Sequence, residues 1–405
     1  MDIRPILSTL RRHKTAASLI VLEIALSCAI ICNALFLIGT RVERVNRPTG
    51  LADEEIVRIN SAGIGRDDNA DARYKVDLAA LRAIPGVKAA TATNHLPFDN
   101  SSWNTSVSIR PDQPVPSLNV AVYLGDEQMV DTFGLRVVAG RAFLPEEYVD
   151  WGALNSNKVT SVPAAIVTRE MAEALFPGQN PIGKLLHDSW GDKPVPIVGV
   201  VERLIRPNDN EGPAHAYNSM LLPVRPTMGR FVLRTTPERR DEVLKAAVAS
   251  LKRTNPNRII LAEHAFADVK ARYYRQDSAM VWLLASVCAA LLVVTALGIV
   301  GLASFWVQQR TKQIGVRRAL GATRSQILRY FQTENFLLTA AGIVLGMLGA
   351  FGLNQLLMAY YELPRLPMLY LPVGAVVLWF LGQVAVFGPA RRAAAVPPAI
   401  ATRSV

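Results

Sequence analysis

The stretch "SAMVWLLASVCAALLVVTALGIVGLASFWV", residues 278–307, decides the class of fold to which this sequence belongs. It contains no charged residue, and it is longer than the ~20 apolar residues that a helix needs to cross a bilayer. Three further apolar stretches of roughly this length, the first of them interrupted by Glu23, occupy residues 15–39, 335–358 and 370–388. With a composition that is 50% hydrophobic and only 19% charged, they predict an α-helical membrane protein with four transmembrane helices.

The first two spans are separated by a large insertion, residues 41–277, which the sequence predicts to be an α+β domain. A β-α-β pattern near each end of the insertion predicts a split subdomain, 50–120 and 226–272, with a second subdomain, 121–225, inserted into it. The predicted elements are strands at 54–60, 87–94, 230–236 and 258–266 and helices at 75–86 and 237–256.

Lys and Arg residues near the spans set the orientation, because basic loops stay in the cytoplasm. They cluster in three short segments, which we therefore place inside: residues 1–14, 308–334 and 389–405. The insertion is then outside the cytoplasm, which makes the chain a multi-pass membrane protein with a large extracytoplasmic domain. The net charge of +11 follows from the same bias, so it does not indicate nucleic-acid binding.

The sequence offers little that could carry out a reaction. "PGQNPIGKLLH" (177–187) resembles a phosphate-binding loop, but Leu185 replaces the Ser or Thr that would reach Mg²⁺, and the segment lies outside. Glu263, His264 and Asp268 are close in sequence but lack the further ligands of a metal site. HExxH, CxxC and GxSxG motifs are absent from the sequence, so we expect no catalytic, cofactor-binding or metal-binding residue.

Two polar residues, Glu23 and Asn33, interrupt the first span. An ionisable residue inside a membrane is a functional candidate, since its burial is costly. Glu23 could alternatively be a packing feature, bonded to Ser27 one turn further along. We favour the structural role over a proton relay because no second ionisable group occurs in any predicted span.

The cytoplasmic loop "QQRTKQIGVRRALGATRSQILRYFQTE" (308–334) carries six basic residues and no acid before Glu334. Apolar residues at 314, 316, 320, 327, 328 and 331 predict two short helices that are broken around Gly321. Two interpretations remain open at this point. The loop is either a solvated segment that keeps the orientation or a docking element for a cytoplasmic partner.

"RTKQIGVRRALGATRSQI" (310–327) resembles the signature of MacB/FtsX-like ABC transporter permeases. Glu334, the Gly342 and Gly346 pair and the tail "PARRAAAVPP" extend the resemblance, with Gln313 standing where that family usually has Glu. "GLRVVAGRAF", "AEALFPGQNPIGKLL" and "PIVGVV" resemble the MacB-type periplasmic core domain.

The resemblance implies a non-catalytic permease that dimerises, either with itself or with a sister permease, and a separate cytoplasmic ABC ATP-binding subunit that hydrolyses ATP. The loop would carry the helix that contacts this ATPase, with Ile314 and Ala319 as its apolar face and Arg317 and Arg318 orienting the contact. The implied coupling residues are Arg310, Lys312, Gln313, Ile314, Gly315, Arg317, Arg318, Ala319, Gly321 and Ala322.

The function that the resemblance implies is ATP-driven export from the periplasm by a MacB-like transporter, together with a periplasmic adaptor and an outer-membrane channel. Two alternatives stay within the family: a lipoprotein-release permease, and an FtsX-like signal transmitter that activates a periplasmic hydrolase. The large size of the insertion argues against the signal transmitter. An enzyme is the fourth possibility, and the sequence shows no constellation of residues for it.

Overall fold

A computed structural model describes residues 14–64, 69–99, 102–156, 158–187, 193–208, 212–361 and 365–397. The chain divides into two compact units. The membrane unit comprises Met1–Val45 and Gln276–Val405, and the outer unit comprises Asn46–Arg275.

The described residues form eleven α-helices. They are α1 (Lys14–Val45), α2 (Ala70–Arg82), α3 (Met129–Phe133), α4 (Trp151–Asn155), α5 (Arg169–Leu175), α6 (Arg240–Thr254), α7 (Phe266–Tyr273), α8 (Arg275–Gln309), α9 (Thr311–Ala319), α10 (Arg324–Tyr361) and α11 (Tyr370–Ala394). Short 3-10 helices cover Asp53–Glu55, Pro145–Glu147, Pro213–His215 and Pro237–Arg239.

All the strands of the described residues lie in the outer unit. They are β1 (Ile56–Gly63), β2 (Ala89–Ala92), β3 (Asn104–Val107), β4 (Leu118–Leu124), β5 (Val137–Gly140), β6 (Val149–Asp150), β7 (Ala165–Thr168), β8 (Leu185–Leu186), β9 (Val195–Val201), β10 (Ser219–Leu222), β11 (Val224–Arg225), β12 (Arg230–Arg234) and β13 (Arg258–Ala265).

The first sheet of the outer unit combines strands from both ends of the insertion. Its order is β13-β1-β12-β2, with every neighbouring pair antiparallel. Helices α2 and α6 cover one face, where Val243, Ala247 and Leu251 of α6 repeat every four residues and are fully buried. The charges of α6 suit its dipole, with acids in the first turn and bases in the last.

The second sheet has the order β3-β4-β10-β7-β9-β5, and β8 also pairs with β9. It is mixed, since β4 is parallel to β10 and β7 is parallel to β9 while the other pairs are antiparallel. Its central strands β7 and β10 are entirely buried, whereas the edge strand β5 is mostly exposed. Helix α5 packs on the sheet through Met171, Ala172 and Leu175. The outer unit contains no cysteine, so these two apolar cores hold it together without disulfides.

The membrane unit contains four helices that are long and apolar enough to cross a bilayer: α1, α8, α10 and α11. Small residues let α10 approach α1 closely. A Cβ atom added at Gly342 would lie 2.8 Å from Ile24, and one added at Gly346 would lie 2.5 Å from Cys28. All four helices extend beyond the apolar stretches that the sequence predicted, and α10 does so by eleven residues at its start.

Candidate coupling site

Helix α8 ends at Gln309 and helix α9 begins at Thr311, so that a single residue, Arg310, separates them. The next turn depends on Gly321, whose φ of 96° is strained for residues with a side chain. Helix α10 then opens with a capping box, in which Gln326 N donates to Thr323 Oγ1 at 3.3 Å and Thr323 N donates to Gln326 Oε1 at 2.9 Å. The prediction of two helices broken at Gly321 is therefore correct for the first, whereas the second is the start of a long spanning helix.

One face of α9 is buried against the other helices of the same unit. Ile314 is 4% exposed and Gly315 is also buried. We call the apolar group around Ile314 the cytoplasmic cluster; its buried members are Val307, Ile314, Ile327, Phe331, Ala390, Ala393 and Ala394, and Ala322 packs against it. Ile314 thus packs within the chain itself, and of the two residues expected to form the apolar face of the helix only Ala319 is exposed.

The two central arginines of α9 also contact the chain itself. The guanidinium of Arg317 lies over the ring of Tyr330, 4.9 Å from its centroid. Arg318 Nη1 donates a hydrogen bond of 2.6 Å to the carbonyl of Val396. These contacts attach α9 to α10 and to the segment that follows α11.

Arg310 forms a buried ion pair with Glu334 of α10. Its Nη1 atom donates to both carboxylate oxygens at 2.9 Å, and the two side chains are only 8% and 2% exposed. The guanidinium also lies over the ring of Trp306, 5.4 Å from the centroid. Both charged residues stand out in the sequence, but their pairing does not, because 24 positions separate them. The packing of α10 beside the end of α8 brings them together.

The opposite face of α9 is uncovered. Its exposed residues include Lys312, Gln313, Arg317 and Ala319, and Gly321 is exposed just beyond its end. Val316 is 48% exposed and Leu320, at the end of the helix, is 83% exposed. Because they are four residues apart, they share one side of the helix. The spacing in the sequence places them on the side away from Ile314, but it does not show which of the two sides faces inward.

The polar residues of α1 face neighbouring helices. Asn33 Nδ2 donates to the carbonyls of Ala29 and of Ala350 on α10, at 3.0 and 3.2 Å. Glu23 is half-buried, and its carboxylate packs so closely on Gly298 of α8 that an added Cβ would lie 2.5 Å from both oxygens. Ser27 is hydrogen-bonded to Thr295 of α8 at 2.8 Å.

The remaining candidates lie in the outer unit. Residues 177–184 connect helix α5 to strand β8, which is the reverse of the strand-loop-helix order around a phosphate-binding loop. Burial lowers the pKa of His264, and the positive charges of Arg272 and Arg58 lower it further. Among the described residues, no group of three His, Cys, Asp or Glu side chains could hold a metal ion.

Two protein-family models match this sequence. The MacB-like periplasmic core domain matches residues 19–252, and the FtsX-like permease C-terminal domain matches residues 285–398. The chain belongs to the MacB/FtsX-like family of ABC transporter permeases. With four spanning helices and a core domain of the periplasmic type, this permease is a multi-pass inner-membrane protein.

Curated relatives of this permease come from several bacteria. It is 26% identical to the macrolide export ATP-binding/permease protein MacB of Agrobacterium fabrum, and 28% identical to that of Bartonella henselae. These matches cover 80% and 81% of this chain but 49% and 47% of the relatives, so the chain spans about half their length. It is also 24% identical to the uncharacterized ABC transporter permease YknZ of Bacillus subtilis, covering 81% of this chain and 78% of that protein.

Solved structures of outer domains are similar in part. The extracellular domain of YknZ from Gram-positive bacteria aligns with 51% of this chain and 100% of that domain, at 17% identity and a TM-score of 0.33. The periplasmic region of MacB from Actinobacillus actinomycetemcomitans aligns with 56% of this chain and 97% of that region, at 13% identity and a TM-score of 0.34.

Proposed function

We propose that this permease relays the ATP-driven motion of a cytoplasmic ATPase to its periplasmic domain, and that this motion drives export from the periplasm. The observation that supports the proposal is the two-sided character of α9. One side is held by the chain's own helices, and the other presents exposed apolar residues among bases.

The exposed side has the composition of a docking surface. Val316 and Leu320 form a small apolar centre, and the exposed Lys312 and Arg317 lie on the same helix. Protein interfaces commonly combine an apolar centre with a charged rim, and a few such central residues carry most of the binding energy. A partner with an apolar groove and acidic groups beside it would complement this surface. A segment that serves only to fix the orientation would need the basic residues but not the apolar pair.

We expect ATP to be hydrolysed outside the permease domains. The partner proposed for this surface is therefore a cytoplasmic ATP-binding subunit. Export is supported by the names of two relatives, which are macrolide export proteins. We further propose that the permease acts as a dimer, with itself or with a sister permease, and that it works with a periplasmic adaptor and an outer-membrane channel.

The double substitution Val316→Asp with Leu320→Asp tests the docking surface. Each change places a carboxylate at the apolar centre, and losing two such anchors at ~2 kcal/mol each weakens an interface by about a thousandfold. The ATP hydrolysis that copurifies with the tagged permease should therefore disappear, together with its export activity towards a macrolide probe. Leu144→Asp, at an exposed apolar residue of the outer unit, is the matched control and should copurify as much ATPase as the wild type.

Expression and mobility in size-exclusion chromatography should remain as in the wild type, because neither Val316 nor Leu320 is buried in the chain. If the double variant copurifies as much ATPase activity as the Leu144→Asp control, the exposed side of α9 is not the docking surface.

A further inference from the structure

We propose that the Arg310–Glu334 ion pair is a strut that makes α9 and α10 move as one body, so that motion received by α9 passes through α10 to α1. The inference rests on the proposed function, since it assigns the route by which the docking surface acts. It makes Arg310 and Glu334 positioning residues, neither of which contacts the ATPase itself.

The strut lies at a joint in the chain. Helix α8 ends at Gln309 and α9 starts at Thr311, so the single residue Arg310, with φ of -100° and ψ of 7°, separates the two helices. Its backbone N–H still bonds to Trp306 of α8 at 3.1 Å, and its carbonyl accepts from Ile314 of α9 at 2.9 Å. At this joint the side chain of Arg310 attaches the start of α9 to α10, in addition to the contacts of Ile314 and Arg317 further along the helix.

The chemistry of the pair favours one fixed geometry. Both side chains are removed from water, and a single guanidinium nitrogen contacts both oxygens of Glu334. A buried pair contributes little more stability than apolar residues of the same size, but loss of one partner leaves an uncompensated charge. Such a pair is therefore better suited to fixing the relative position of two helices than to stabilising them.

The rest of α9 is attached to the same helix. Ile314 packs in the cytoplasmic cluster with Ile327 and Phe331 of α10, and Arg317 covers Tyr330 of α10. Helix α9 is therefore fixed to α10 at its start by the strut and along its length by these contacts.

Helix α10 is in turn fixed to α1. Gly342 and Gly346 bring its backbone against α1, and Asn33 of α1 bonds to the carbonyl of Ala350. Helix α1 ends at Val45, and the outer unit begins at Asn46, so α1 continues covalently into the outer unit. A displacement of α9 is thus transmitted through two rigid contacts to the first residue of the outer unit.

The test separates binding of the ATPase from transmission of its motion, using the full permease with its ATPase in detergent micelles. Binding is read from copurifying ATP hydrolysis. Transmission is read from the change in hydrogen exchange that ATP with vanadate causes in peptides covering 33–45 and 56–63. Glu334→Gln should keep ATP hydrolysis within about twofold of the wild type, while the exchange change falls to less than about one fifth. Arg329→Gln, which removes an exposed basic residue of α10, is the control and should keep both readouts.

Two double variants keep the test decisive if the single variant Glu334→Gln fails to fold. Arg310→Glu with Glu334→Arg restores the pair with reversed charges and should recover most of the exchange change. Arg310→Met with Glu334→Leu should fold, since apolar residues replace a buried pair without loss of stability, and should keep the ATPase but lose transmission. A normal exchange change in Glu334→Gln or in the apolar double variant would overturn the strut. If the wild type showed no ATP-dependent exchange change, the proposed function itself would be refuted.

Discussion

His95 should make the outer unit lose stability in mild acid. It lies just after strand β2 and is completely buried, with its ring set edge-on against Tyr123 at 4.5 Å between centroids. Its Nδ1 atom accepts a hydrogen bond of 3.3 Å from the backbone N–H of Trp103. Burial first, and the charge of Arg230 second, lower the pKa of His95 from 6.5 to about 3.

The direction and size of the effect follow from this difference. In the unfolded chain the imidazole takes up a proton near pH 6.5, whereas in the folded unit it stays neutral until about pH 3. Between these values the unfolded state binds more protons, so the free energy of unfolding decreases as the pH falls. The slope is about 1.4 kcal/mol per pH unit, and the loss between pH 7.5 and pH 4.5 is about 3 kcal/mol.

The variant His95→Phe isolates this contribution. Phe fills a similar volume but cannot titrate, and it leaves the N–H of Trp103 without its acceptor, which costs about 1–3 kcal/mol at every pH. The variant should therefore be less stable than the wild type at pH 7.5, but its disadvantage should shrink or disappear at pH 4.5. His187→Asn, at a half-buried histidine of the same unit, is the control and should keep the pH dependence of the wild type.

Native-state hydrogen exchange measures the effect in the full permease. Peptides from the buried strand β4 report the opening of the outer unit, after correction for the intrinsic pH dependence of exchange. The wild type should lose protection between pH 7.5 and pH 4.5 by about 3 kcal/mol more than His95→Phe does. Equal losses in the two proteins would show that His95 is not kept neutral by its surroundings.

Two further predictions concern the membrane unit and its orientation. Gly346→Leu should destabilise the packing of α10 on α1 by about 1–3 kcal/mol or more and lower the yield of folded protein, because the new Cβ would meet α1 atoms at 2.5 Å. Gly352→Leu, at a glycine of α10 with open space around it, is the control and should retain the yield in a fluorescence size-exclusion assay. Cysteines placed singly at Ser325 and Ser161 should label oppositely with an impermeant reagent in intact spheroplasts, with only Ser161→Cys reactive. Labelling of both positions to the same extent would contradict the orientation derived from the Lys and Arg residues.

The elements that the sequence predicts well are those in which one local pattern determines both the type and the position. Apolar stretches of about the length that crosses a bilayer predict the four long helices. In the outer unit, Pro237 and the acids after it mark the start of α6, and the structure has this helix at Arg240–Thr254 against a predicted 237–256. The strand predicted at 258–266 is observed at Arg258–Ala265.

The orientation of α9 could not be predicted, because it depends on residues far away in the sequence. Ile314, Val316 and Leu320 are all apolar, and a nine-residue helix does not reveal which of them faces inward. The choice is made by Ile327, Phe331 and the end of α11, which supply the cavity that Ile314 fills. The same limit applies to the length of α10. No proline lies between Gln326 and Tyr361, so the capping box at the loop opens a helix that continues through the whole span.

The packing of the four long helices indicates which of them has surface left for a second permease. In a membrane, apolar side chains gain little by leaving lipid, so helices associate through close approach and hydrogen bonds. Helix α1 uses both, since it packs against the glycines of α10 and Asn33 bonds across to α10, and 56% of its most apolar window is buried. The corresponding share of α8 is only 17%, and large side chains such as Trp282 and Leu297 are uncovered by the described part of the chain. Of the four helices, α8 therefore has the most surface to contribute to the proposed dimer. Because α8 leads directly into Arg310 and α9, a partner seated on α8 would contact the helix that precedes the strut.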